Sequence, residues 1–156
     1  MPIMDEQLLF SESQDMTTTS GVAIVSTNIV YIPQVLDHTG TSRNDRPNVS
    51  KDNCLNIVVE DEAFVGSGSI ITIGMYEHTA SGTPAASGNL VLQAGVTLAA
   101  AGLPIGYQIA SIPLPVTTME PFLQLSLDIT TAALTEGYMT AWIGPPIQQG
   151  GEHGAL

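Results

Sequence analysis

The sequence predicts an all-β fold, a jelly-roll-like or Greek-key β-sandwich of about seven to eight strands with extended N- and C-terminal arms. Three observations predict it. Apolar residues recur at a spacing of two, the period of a strand with one dry face. Clusters of Gly, Pro, Ser and Asn, residue types whose backbone preferences suit turns, close each run. Helical periodicity is nearly absent, and the stretch Leu98 to Leu103, with room for one helical turn, is too short to stand alone as a helix.

Residues 1–20 read as an N-terminal arm lying outside the sandwich core. Leu8, Leu9 and Phe10 precede the polar run Ser11 to Thr19, so the arm is expected to dock on something apolar, either its own sandwich or a neighbouring subunit. Gly21 to Ile32 is the first strand candidate, and residues 33–53 form a long crossing. Cys54 to Val59 comes next, followed by Glu60-Asp61-Glu62, an acidic strand-to-loop junction kept in water by its charge. The turn residues Val65-Gly66-Ser67-Gly68 lead to a strand at Ser69 to Glu77, and residues 78–88 make the second crossing.

Asn89 to Leu98 has the clearest alternation, with Leu90, Leu92, Ala94, Val96 and Leu98 on one face and Gln93, Gly95 and Thr97 on the other. Gly106 to Leu114 follows. Glu120 to Thr130 places Leu123, Leu125, Leu127 and Ile129 inward and Gln124, Ser126 and Asp128 outward. In Tyr138 to Ile143 both faces are largely apolar, so this strand is covered twice. It is either central in the sandwich or turned toward another subunit, where Trp142 and Tyr138 are favoured anchors. Residues 144–156 (GPPIQQGGEHGAL) read as a flexible tail.

The composition supports a folded chain: 44% hydrophobic residues supply a core, and 156 residues suit one domain. No run approaches the ~20 apolar residues of a bilayer span, and the first ten residues hold two acids where a signal peptide has a basic region. A soluble, non-exported protein is the expectation.

Charge is distributed unevenly. All three basic residues, Arg43, Arg46 and Lys51, lie within nine residues, whereas fifteen carboxylates spread from Asp5 to Glu152 and the net charge is -12. Nucleic-acid binding needs a clustered Lys/Arg footprint that this pattern lacks, and an anionic membrane is disfavoured for the same reason. As the chain's only cations, the three basic residues must carry any charge-paired contact to an acidic surface, unless a partner supplies the positive charge; the other reading is a solvated loop whose charges partly cancel against Asp37, Asp45 and Asp52.

Signals for chemistry are weak. The single Cys54 excludes an intramolecular disulfide and a CxxC motif, and it reads as a buried small hydrophobe. No serine sits in a GxSxG elbow, and His38, His78 and His153 lie in or beside turn-rich segments as solvated loop residues. Gly66-Ser67-Gly68 has Ile71 where a dinucleotide fingerprint needs its third glycine. Glu60 to Glu62 could offer oxygens to a hard cation but lacks calcium-loop spacing. The expectation is a protein without cofactor, metal or catalytic site.

Several segments carry a resemblance: Leu8 to Gln14 (LLFSESQ) with the Thr-rich stretch after it, Val25 to Val30 (VSTNIV), Ala110 to Pro115 (ASIPLP), Phe122 to Leu125 (FLQL) and Gly137 to Ile143 (GYMTAWI). In this order the chain resembles the capsid cement, or decoration, proteins of tailed bacteriophages. It departs from them in the longer, basic-containing segment between residues 33 and 53 and in the Gly-rich tail. The resemblance implies a jelly-roll-like homotrimer on the outer surface of the virion, a non-enzymatic role, and the major capsid protein as partner. Under that reading Leu8, Leu9 and Phe10 are arm anchors, Arg43, Arg46 and Lys51 are polar contacts, and Trp142 is a partner-facing aromatic. A carbohydrate-binding or adhesin-like sandwich is the alternative, although eight aromatic residues leave little for sugar platforms. A hydrolase using Glu60 to Glu62 lacks a visible nucleophile and base.

Overall fold

The computed structural model describes residues 8–18, 21, 23–31, 54–66, 68–79, 88–98, 102–114 and 120–147. Among them are nine strands: β1 (Leu9–Asp15), β2 (Ala23–Val25), β3 (Val30–Tyr31), β4 (Cys54–Val65), β5 (Ile70–His78), β6 (Asn89–Thr97), β7 (Gln108–Pro113), β8 (Phe122–Thr130) and β9 (Glu136–Gly144). They pair antiparallel in two sheets, ordered β1-β9-β4-β7 and β2-β8-β5-β6, with β3 also pairing β8. With β2 and β3 taken as halves of one broken strand, every connection except β5 to β6 passes between the sheets. That winding is the jelly-roll sandwich expected from the sequence.

The alternation that predicts the strands also builds the core. Leu123, Leu125, Leu127 and Ile129 of β8 are wholly buried, and Ile71, Ile73 and Met75 of β5 lie on the same inner face. From the other sheet come Leu55, Ile57 and Val59 of β4 and Met139, Ala141 and Ile143 of β9. Each such aliphatic side chain contributes roughly 1.5–3 kcal/mol by leaving water. Cys54, on the opposite face of β4 from Leu55, is also buried, as a free thiol.

Four differences from the sequence reading have physical causes. Within the expected arm of residues 1–20, Leu9 to Asp15 is an edge strand on β9, because Phe10 and Met16 are wholly buried in the chain's own core. The expected strand Gly21 to Ile32 is broken after Val25. The Ser26 hydroxyl accepts the Leu125 N–H at 3.1 Å and donates to the Asn28 carbonyl at 2.9 Å, offering the backbone an alternative to a continuous ladder. Asn28 then reaches the other sheet, its N–H donating to the Phe10 carbonyl at 2.8 Å and its amide to the Leu9 carbonyl at 3.2 Å.

β4 runs through the acidic triplet to Val65. A register shift between Glu60 and Val65, with Asp61 at φ +60°, leaves Asp61 and Glu62 exposed while pairing resumes at Glu136. In β6 a bulge opposite Met75 and Tyr76 turns Leu90 to the outer face, while Leu92, Ala94, Val96 and, just past the strand, Leu98 keep the expected side. Residues 99–101 of the helical-turn candidate, most of both crossings and residues 148–156 of the tail lie outside the described residues.

Candidate interaction surfaces

Leu8, Leu9 and Phe10 are largely used within the subunit. Phe10 is fully buried, Leu9 nearly so, and Leu8 packs partly buried against the core. Leu9 is paired with Trp142, which is paired in turn with Asn56, so the three share the outer side of the four-stranded sheet. Trp142 is half-buried, with its indole over Gly144: a Cβ built there would lie 3.1 Å from Trp142 Cδ1. Beside it Asn56 is wholly buried, donating to the Pro145 carbonyl at 2.9 Å and accepting the Ser111 hydroxyl at 2.8 Å. β9 is thus covered twice by its own chain over much of its length, its inner face by the core and Thr140 of its outer face by neighbouring residues.

Acids gather toward the other end of this sheet. Thr140 donates its hydroxyl to Glu60 and accepts the Ser13 N–H at 3.0 Å, and the Ser13 hydroxyl donates to Asp61. Asp15 accepts both the hydroxyl and the N–H of Thr17, at 2.5 and 2.8 Å, and these bonds hold its carboxyl below the ordinary value of 3.8. Among the described residues no three His, Cys, Asp or Glu side chains form a group that could hold a metal ion. Arg43, Arg46 and Lys51 lie outside the described residues, as do His38 and His153.

The outer face of the five-stranded sheet has a different character. The pairing register arranges it in rows across the strands. Tyr31, Phe122 and His78 make the first row, and Gln124, Tyr76 and Leu90 the second. Val25, Ser126 and Gly74 lie in the third. The Tyr31 and Phe122 ring centroids are 5.0 Å apart at 38°. The Tyr76 ring lies across Gly74, where a Cβ would approach Tyr76 Cε2 to 2.7 Å and Leu90 Cδ1 to 3.1 Å. Tyr31, Leu90 and Val25 remain 53%, 48% and 43% exposed, and Ile70 at the far end of the face 38%. Among the described outward positions of these strands Asp128 is the single carboxylate.

The sequence reading missed this face because no one segment contains it. Tyr31, Phe122, Tyr76 and Leu90 come from four strands and meet only through the register. One signal was available: with Ile73 and Met75 inward, Tyr76 has to point outward.

His78 corrects the expectation of a solvated loop histidine. It ends β5 opposite Phe122, is buried, and packs against Gly88, where a Cβ would lie 2.5 Å from its Cε1. His78 Nε2 and Gln124 Oε1 are buried without a hydrogen-bond partner among the described residues. Gln124 and Ser126, expected in water, are also buried, because β8 lies between β5 on one side and β2 and β3 on the other. Compared with known proteins, the chain matches no protein-family model and no curated protein.

Proposed function

We propose that this chain is a capsid cement protein: a non-enzymatic homotrimer that binds the outer surface of a phage head and stabilises contacts between major capsid protein subunits. The observation that carries the reading is where the resembling segments fall. LLFSESQ supplies β1 beside the β9 segment GYMTAWI, and VSTNIV supplies the broken edge beside the β8 segment FLQL. They are adjacent strands of one jelly roll, the fold the resemblance implies. Its buried core and exposed apolar sheet face suit a rigid body whose task is contact with neighbours. Repetition over a symmetric shell turns modest contacts of this kind into a strong lattice effect.

The test adds purified protein to undecorated heads. Stoichiometric uptake with raised heat resistance is expected, and no uptake at micromolar concentration overturns the reading. The alternative, a carbohydrate-binding module, draws on the Tyr31 and Phe122 ring pair with Tyr76 on the same face. Reproducible glycan-array binding, lost on Tyr31→Ala, would favour it.

A further inference from the structure

We propose that the outer face of the five-stranded sheet is the surface through which copies of this chain associate. The proposal rests on the homo-oligomeric part of the reading above and is independent of capsid binding.

Charge selects the occupant. The chain carries -12, and a second copy carries the same, so two copies repel wherever carboxylates face each other. The rows holding Tyr31, Phe122, Tyr76, Leu90 and Val25 contain no carboxylate, and Asp128 stands one row further on. For a like-charged partner such a neutral face is a requirement. A cationic partner would gain nothing there and much beside Asp61 and Glu62, both exposed on β4.

Area agrees with this choice. Three nine-residue strands and the five residues of β2 and β3, at about 3.3 Å per residue and about 4.8 Å between strands, give a face of about 500 Å². Two such faces bury about 1,000 Å², the lower end for a specific contact, and a trimer shares each face between its two neighbours. Tyr76, on the central strand β5 and lying across Gly74, is the kind of side chain that carries contact energy.

Sedimentation velocity of the full chain between about 1 μM and about 100 μM, the affinity range of modest self-association, tests it. The wild type is expected to sediment at a multiple of the chain mass. Leu90→Glu should move the association midpoint at least about 100-fold higher, since it buries an unpaired charge in the contact. Leu90→Met should leave it within about threefold. Val25→Glu, across the face and likewise exposed, is the second variant and should act as Leu90→Glu does, with circular dichroism confirming that each variant is folded. A wild type that stays monomeric at the highest concentration overturns the proposal. So does a folded Leu90→Glu or Val25→Glu chain that keeps the wild-type mass, or a monomer whose face binds a glycan instead. Head uptake is scored separately: a chain that associates through this face yet never binds heads sinks the capsid reading alone.

Discussion

Asp15 ends β1 in a tight local turn in which the Thr17 hydroxyl and N–H both donate to one carboxylate oxygen. Both bonds favour the ionised form and lower its pKa below 3.8, the side-chain bond contributing most. A depressed carboxyl stabilises the fold fully above its unfolded value and loses that contribution as pH falls through the lowered folded value. Thr17→Val keeps the backbone bond and removes the larger one, so the Asp15 titration midpoint should rise toward 3.8. A carboxyl-carbon NMR titration measures it, and an unmoved midpoint would refute the assignment of cause. Gly137 shows a steric constraint of a different kind. Its φ is +140°, and a Cβ would lie 2.3 Å from Cδ1 of the wholly buried Phe64. Gly137→Ala should therefore cost roughly 2–4 kcal/mol and lower Tm by roughly 5–15 °C. Gly21, at φ +83° with nothing within 4 Å of its Cβ direction, is the control, and Gly21→Ala should cost only about 1 kcal/mol.

At the scale of the element, β1 decides whether the N-terminal segment is an appendage or part of the body. Phe10 is wholly buried and its carbonyl accepts the Asn28 N–H at 2.8 Å, so the strand joins both sheets at one edge of the sandwich. Phe10→Ala should cost roughly 3–5 kcal/mol in chemical denaturation, as a cavity in a core does, whereas loss of a docked arm would leave stability nearly unchanged. Residues 1–20 read as an arm because Ser11 to Thr19 is polar apart from Met16. An edge strand with bulges between Leu9 and Ser11 and between Ser11 and Gln14 has no clean period of two to display. Where a strand is unbulged and central, as in β8, the alternation is legible and the inward residues are those the spacing names. Bulges erase the signal for the same geometric reason each time: one extra residue reverses the side of everything beyond it, as Leu90 shows in β6. The outer aromatic face was illegible because register is a property of pairs of strands, and no single segment of sequence specifies it.

For the whole molecule the governing quantity is charge. Twelve net negative charges on a small sandwich repel one another and any second copy, and all three cations lie in one stretch of chain between β3 and β4. Salt therefore separates two ways in which copies could hold together. Raising ionic strength from about 0.01 M to about 1 M shortens the screening length from about 30 Å to about 3 Å. If copies meet through the neutral face around Leu90 and Tyr76, screening removes repulsion and leaves apolar burial intact, so association should tighten with salt. If they meet through Arg43, Arg46 and Lys51 against a neighbour's carboxylates, screening removes the attraction and association should loosen. Sedimentation across that range of sodium chloride reads the sign directly. The thermal midpoint of the dissociated Leu90→Glu chain should rise over the same range, because intramolecular repulsion is screened as well. A midpoint that falls would mean that pairing with those three cations, and not repulsion among the carboxylates, dominates the electrostatics of the fold.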